Sequence, residues 1–271
     1  MDQNTAEPQT KSNLNFSKQF EDKMYRCAIR TDVGKKRAQN QDNGGIFPEL
    51  GLFMVADGLG GHRGGETAST LAVETISAHI KAGQAQPYWD PRSLAVSSIK
   101  QANAKIFETA KKNPQLDGMG TTAVVCLIKN ATAYIAHVGD SRAYLVAKNG
   151  IWQMTRDHSL VQEKLRAGLI TREQLKSDRM KNVITRSVGF ESTVDVDLYE
   201  MPLDVGDSIL MCSDGLSGML DDPAILKTIH ESWKSGQDVL AAVDQLIQRA
   251  NENGGEDNVT AVLVTSLVKR A

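Results

Sequence analysis

Thr122-Ala-Val-Val-Cys-Leu-Ile128, Ala131-Thr-Ala-Tyr-Ile-Ala-His-Val138 and Arg142-Ala-Tyr-Leu-Val146 are three strand-like runs with no helical pattern between them. They are rich in Val, Ile, Thr and Tyr, the side chains that fit a pleated, half-buried surface. Asn130 links the first two in hairpin fashion, and only Gly139-Asp-Ser141 separates the second from the third. Further strand signals lie at 24–31, 52–56, 208–212 and 259–265. Helical spacing of apolar residues predicts helices over 66–82, 91–112 and 237–251, the second with Asp90 as cap and Pro91 in its first turn. Two adjacent helices followed by a run of strands give an α+β layering; a doubly wound sheet would alternate β and α. Residues 157–180 interrupt the strands with short, charged helical pieces and read as an insertion over the surface.

Working outward, no internal repeat and no Pro-, Gly- or Ser-rich linker divides the chain, so 24–271 is expected to be a single domain behind a disordered polar tail, 1–23. Lys plus Arg number 31 against 33 Asp plus Glu, a net charge of −2. That balance gives no electrostatic footprint for nucleic acid and no polybasic membrane anchor. With 41% hydrophobic residues, the 271-residue chain can bury a core, which excludes collagen and low-complexity disorder. The longest apolar run, 123–128, is too short to span a bilayer, and the tail lacks the apolar stretch of a signal peptide. A cytoplasmic location is expected. Cys27, Cys126 and Cys212 each sit in an apolar run and read as buried, reduced thiols.

The informative feature is where certain acids fall. Asp57 (Leu-Phe-Met-Val-Ala-Asp-Gly), Asp140 (Ile-Ala-His-Val-Gly-Asp-Ser) and Asp214 (Ile-Leu-Met-Cys-Ser-Asp-Gly) end or closely follow apolar strands. Asp257 just precedes one, and Asp42 closes Arg37-Ala-Gln-Asn-Gln-Asp42. A carboxylate at the tip of a buried strand is costly unless paired, and several together repel one another. Hard divalent cations resolve that cost, and an oxygen-only set selects Mg²⁺ or Mn²⁺ over zinc. Glycine after the acid, as at Gly58, lets a main-chain carbonyl approach an ion. Any single Asp-Gly is first of all a turn signal.

The glycine-rich 57–66 stretch lacks the Gly-Lys-Ser/Thr of a phosphate loop, and Arg63 breaks a dinucleotide fingerprint. His79 and His137 read as core or sheet residues. His62, five positions after Asp57, is a candidate proton donor or a plain loop histidine.

Eight stretches in order resemble the metal-dependent protein phosphatases (the PPM family, type 2C serine/threonine phosphatases) in their bacterial form. They are Arg37-Ala-Gln-Asn-Gln-Asp42, Val55-Ala-Asp-Gly-Leu-Gly-Gly-His62 with Gly65-Glu66, Met119-Gly-Thr-Thr-Ala123, His137-Val-Gly-Asp-Ser-Arg142, Asp157-His-Ser159, Ile184-Thr-Arg-Ser-Val-Gly189, Ser213-Asp-Gly-Leu216 and Gly254-Gly-Glu-Asp-Asn-Val-Thr260. The resemblance spans roughly 24–267.

It implies a central β-sandwich of two antiparallel sheets flanked by helices on both sides, with 157–180 as a flap. By the same resemblance, Asp57 bridges two Mn²⁺ or Mg²⁺ ions with the Gly58 carbonyl on the second, and Asp214 and Asp257 hold the first. Asp42 orders metal-bound water, Asp140 shares a third, weaker ion with Asp214, Arg37 binds phosphate and His62 is the general acid. The implied reaction is hydrolysis of phosphoserine or phosphothreonine by a metal-bridging hydroxide. The implied partners are phosphorylated proteins and an opposing bacterial Ser/Thr kinase, the chain acting as a monomer. Two rivals stand beside it: a metallohydrolase of nucleotides or small phosphate esters, and a signalling module that binds a partner through the flap. Asp195-Val-Asp197 reads as a solvated strand face, not a haloacid-type nucleophile.

Overall fold

Most of the apolar runs become strands buried on both faces in a computed structural model that describes residues 15–60, 64–175, 178–236 and 238–268. The strands are β1 (Phe16–Glu21), β2 (Tyr25–Asp32), β3 (Asp42–Phe47), β4 (Leu52–Leu59), β5 (Gly120–Thr121), β6 (Ala123–Lys129), β7 (Thr132–Val138), β8 (Arg142–Ala147), β9 (Gly150–Gln153), β10 (Asp197–Pro202), β11 (Ser208–Cys212) and β12 (Val259–Ser266). The helices are α1 (Gly64–Gln84), α2 (Pro91–Lys112), α3 (Leu160–Arg166), α4 (Arg172–Leu175), α5 (Asp214–Ser217), α6 (Asp222–Lys234) and α7 (Val239–Glu252).

One sheet runs β1-β2-β12-β11-β8-β9 and the other β10-β7-β6-β4-β3, with β5 alongside β4; the paired strands are antiparallel. Side-chain alternation sorts three apolar layers. From β4, Phe53 and Val55 face the sandwich interior with Ile29, Val124, Ile135, Met211 and Val262. Leu52, Met54 and Ala56 point the other way, onto Ile76 and Ile80 of α1 and Ile99 and Ile106 of α2. Leu210 and Leu263 of the first sheet meet Ile225 and Ile229 of α6 and Val243 and Leu246 of α7. The α-β-β-α sandwich expected from the resemblance is therefore the observed fold.

Local rules account for several boundaries. Asp90 caps α2 by accepting the Ser93 N–H at 2.9 Å, with Pro91 behind it. Asn130 and Ala131, at φ of 51° and 53°, form the two-residue turn whose twist suits the β6–β7 hairpin. All three cysteines are free and buried, and burial pushes each thiol up to about 12.

One expectation needs correction. The disordered tail cannot extend to Lys23, because Phe16–Glu21 pairs with β2 as an edge strand; residues 1–14 lie outside the described part. All six residues of β1 are exposed, so no buried alternation announced it. The helix α6 also went unanticipated, since Thr228 and Ser232 share its buried face with Ile225 and Ile229.

Candidate active site

Strands β3 and β4 pair so that Asp42 stands directly opposite Asp57. Alternation places both carboxylates on the inward side of their sheet, Asp57 in line with Phe53 and Val55 and Asp42 in line with Ile46. The opposing sheet supplies hydroxyls. Ser213 Oγ donates to Asp42 Oδ2 at 2.7 Å and accepts the Thr260 N–H at 2.9 Å. The Thr260 and Thr31 hydroxyls meet at 2.7 Å, and Asn40 Nδ2 donates to Thr31 Oγ1 at 2.8 Å. The apolar interior thus ends in a polar layer that spans both sheets. Asp214 follows Ser213 directly as the first residue of α5.

The main chain around Asp57 is held from several sides. Its N–H donates to Thr122 Oγ1 at 2.9 Å, and its carbonyl accepts from the Thr122 N–H and the Thr121 hydroxyl, both at 2.8 Å. Thr122 Oγ1 also meets Ser141 Oγ at 2.7 Å, linking the Asp57 strand to the turn that carries Asp140. At Gly58 a Cβ would stand 2.2 Å from the Gly65 carbonyl oxygen and 2.5 Å from that of Gln41, so only glycine fits there.

Asn258 organises the far edge. Its amide nitrogen donates to the carbonyls of Val33 and Gln39 at 2.9 Å each, and its Oδ1 accepts the Gln41 N–H at 2.8 Å. One buried side chain therefore fixes the loop 33–41 against the start of β12. That brings Arg37 to Asp257, Nη2 to Oδ2 at 2.7 Å, with the guanidinium still half-exposed.

The acids act on one another. Burial pushes Asp42 up to about 7, Asp214 and Asp257 adding to the shift while the Ser213 hydrogen bond opposes it. Burial, with Asp214 and Asp157, takes Asp140 to about 8; burial and Asp257 take Asp214 to about 6. Asp57 lies well above the carboxylate range through burial and the carboxylates of Asp42, Asp214, Asp140 and Asp257. Asp42 Oδ1 and Asp140 Oδ1 are buried without a hydrogen-bond partner. Mutually repelling oxygen donors with unpartnered lone pairs fit hard dications in chemistry and charge. Among the described residues no three Asp, Glu, His or Cys side chains close into a ready-made chelate; Asp42 and Asp257 instead take Ser213 and Arg37 as partners.

The structure thus gathers Arg37, Asp42, Asp57, Gly58, Asp140, Asp214 and Asp257 at one end of the sandwich. His62 lies outside the described residues. Burial holds His137 down at about 3 and keeps His158 below its ordinary range, so neither suits proton donation at neutral pH. Of Asp195-Val-Asp197, Asp195 is exposed ahead of β10 as expected, but Asp197 is partly buried, accepting from Arg186 Nη1 at 2.7 Å and standing 3.3 Å from His158 Nε2. Ser213, Asn258 and Thr260 are supporting residues that sequence reasoning did not assign; each lies inside or beside a quoted stretch, the only signal available.

Between β9 and β10, the segment 157–180 carries α3 and α4. Its root is tied by Asp157, which accepts from both Nε and Nη2 of Arg142 at 2.7–3.1 Å in a largely buried pair. A cleft of about 670 Å³ runs between Val161 and Leu175 on this segment, with Lys181 just beyond it, and Met219–Ala224 opposite, ending on Asp140 and Asp214.

The family model described as Protein phosphatase 2C matches residues 37–259. The Serine/threonine phosphatase stp of Listeria welshimeri is 38% identical over 240 residues, covering 87% of this chain and 94% of that protein. The crystal structure of the Mycobacterium tuberculosis serine/threonine phosphatase PstP/Ppp superposes with a TM-score of 0.81 at 32% identity, over 89% of this chain and 98% of that one. A PstP catalytic domain in complex with two manganese ions gives 0.80 at 31% identity, over 90% and 99%.

Proposed function

This chain belongs to the protein phosphatase 2C family and is a protein-serine/threonine phosphatase; from that premise we propose that it hydrolyses phosphoserine and phosphothreonine in proteins with two Mn²⁺ or Mg²⁺ ions at the acidic end of its sandwich. Asp57 and the Gly58 carbonyl would hold both ions, Asp214 and Asp257 the first, and Asp140 with Asp214 a third. When bound, such ions lower the proton affinity of water and offset charge on the phosphoryl group.

The observation that carries this reading is the mutual charge burden of Asp42, Asp57, Asp140 and Asp214, with one buried carboxylate oxygen of Asp42 and one of Asp140 left unpartnered. The relative solved with manganese supports the choice of ion. Asp42, fixed by Ser213, keeps its second oxygen free to accept from a water in the site. Arg37 offers phosphate oxygens a planar fork that a lysine could not copy, and its half-exposed position leaves room for them. His62 is assigned to protonate the departing serine or threonine oxygen.

The sandwich from β1 onward is taken as one catalytic domain with 157–180 as its flap, acting as a cytoplasmic monomer opposite a bacterial Ser/Thr kinase. Among the described residues no helix is long and apolar enough to cross a membrane. Initial rates on a phosphothreonine peptide and on a nucleotide, each titrated with Mn²⁺, test the proposal. Mn²⁺-dependent turnover that strongly favours the peptide is expected. Metal-independent turnover, or preference for the nucleotide, would overturn it.

A further inference from the structure

His158 closes both main-chain groups of a single residue. Its N–H donates to the Gly139 carbonyl at 2.8 Å, and its Nδ1 accepts the Gly139 N–H at 3.0 Å. Gly139 has φ +111°, and a Cβ there would lie 2.6 Å from Thr122, so this turn admits no other residue and finds its hydrogen bonds in His158. On the other side of the ring, Nε2 stands 3.1 Å from Arg186 Nη1 and 3.3 Å from Asp197 Oδ2, the acid that Arg186 also binds; with Nδ1 accepting, a neutral imidazole carries its proton there. The imidazole is buried and lies on the His137 ring, centroids 4.7 Å apart.

His158 also belongs to the flap root. Its carbonyl accepts the Thr185 N–H at 2.8 Å, Ser159 bridges Ile184, and the Leu160 N–H reaches the Val183 carbonyl at 2.8 Å. One residue earlier, Asp157 grips Arg142. Asp140 therefore sits between two points, Gly139 and Arg142, that the flap root clamps.

We propose that His158 is a positioning residue: it fixes the Gly139–Asp140 turn to the root of the flap, so that the placement of Asp140 depends on how the flap is seated. The inference rests on the metal-site reading for its consequence in catalysis, and on hydrogen bonds alone for the clamp itself. Removing the clamp loosens the turn and weakens the hold on an ion at Asp140, as loss of outer-shell support weakens metal sites generally.

The test compares the full chain with His158→Leu and with His158→Asn, whose Oδ1 stands where Nδ1 did. Amide exchange of peptides covering 138–142 is followed without metal, and the Mn²⁺ concentration for half-maximal turnover is measured. Expected for His158→Leu are about tenfold faster exchange and about tenfold more Mn²⁺ for half-saturation, with turnover at saturating Mn²⁺ within about twofold. His158→Asn should return both readouts toward those of the unaltered chain. Unchanged exchange and Mn²⁺ demand in His158→Leu, or His158→Asn as impaired as His158→Leu, would overturn the proposal. Where His158→Leu does not fold, His158→Asn decides alone: a Mn²⁺ demand within about threefold of normal supports the clamp, and a larger shift refutes it. Metal-independent turnover of the unaltered chain would defeat the functional reading while the exchange result still judged the clamp.

Discussion

The acids and the flap are held in different ways. Asp42 and Asp57 face each other across a strand ladder, Asp57 with main-chain hydrogen bonds to Thr121 and Thr122 as well. Asp214 and Asp257 flank strands β11 and β12, which carry no exposed residue. The flap is anchored at its root, by Asp157 on Arg142 and His158 on Gly139, while its far part exposes Leu169 and Met180. Chemistry that tolerates little displacement rides on the paired sheets; the wall of the cleft rides on a segment with few apolar contacts, the kind that opens at low cost. Both meet at Asp140, where sheet and flap share one turn.

Four changes would break or sharpen that contrast. The largest effect belongs to the sheet side. Asp57→Asn should cut turnover of a phosphothreonine peptide by about a thousandfold, ~4 kcal/mol of barrier, with the circular dichroism spectrum unchanged. Retained turnover in excess Mn²⁺ would show that Asp57 is not the central ligand.

Next comes the root of the flap. Asp157→Ala leaves a largely buried Arg142 without its carboxylate and should cost about 3 kcal/mol in urea unfolding. Leu169→Ala, at the exposed end, should change stability by less than about 0.5 kcal/mol. Equal losses at the two positions would erase the distinction between root and tip.

A smaller change is expected at Arg37, whose bridge to Asp257 is solvent-facing and adds little to stability. Arg37→Ala should raise KM for the phosphopeptide by the equivalent of ~1.5–3 kcal/mol. An effect confined to kcat would move Arg37 out of the phosphate-binding role.

The mildest perturbation is pH without added metal. Burial and mutual repulsion raise Asp214 to about 6, Asp42 to about 7 and Asp140 to about 8, so the folded chain binds protons more tightly than the unfolded one. The stability these carboxylates contribute is therefore greatest near pH 4 and is lost as pH rises to about 8, while buried His137 and His158, which resist protonation in the fold, oppose it below about pH 6.5. Thermal melts of Asp42→Asn should show a shallower fall than the unaltered chain. An identical pH profile in Asp42→Asn and the unaltered chain would mean the carboxylates are not gathered as described.

Much of this was legible in the chain, for identifiable reasons. The runs 122–128 and 131–138 declare strands because both of their faces are buried, and Asp90-Pro91 declares a helix start by local chemistry. Strand β3 was hidden by Asn43-Gly-Gly45, which reads as a turn. In the fold those glycines admit close neighbours: a Cβ on Gly44 would stand 2.7 Å from the Met54 carbonyl oxygen. The acids could be named, but the contacts around them join residues far apart in sequence: Ser213 to Asp42, Arg37 to Asp257, Asn258 to Gln41. Local patterns hold no information about such pairings. The resemblance supplied the metal-ligand assignments but was silent on the Asp157 and His158 clamps, which depend on where an insertion returns to its sheet.

Strand β12 lies in the interior of its sheet, between β2 and β11, yet it is the last of the described strands to be made. During synthesis, β2 and β11 must wait with their facing edges open until residues up to 266 have left the ribosome. Only then can Asn258 draw in the loop bearing Arg37, so a nascent phosphatase stays inert until this strand has been made.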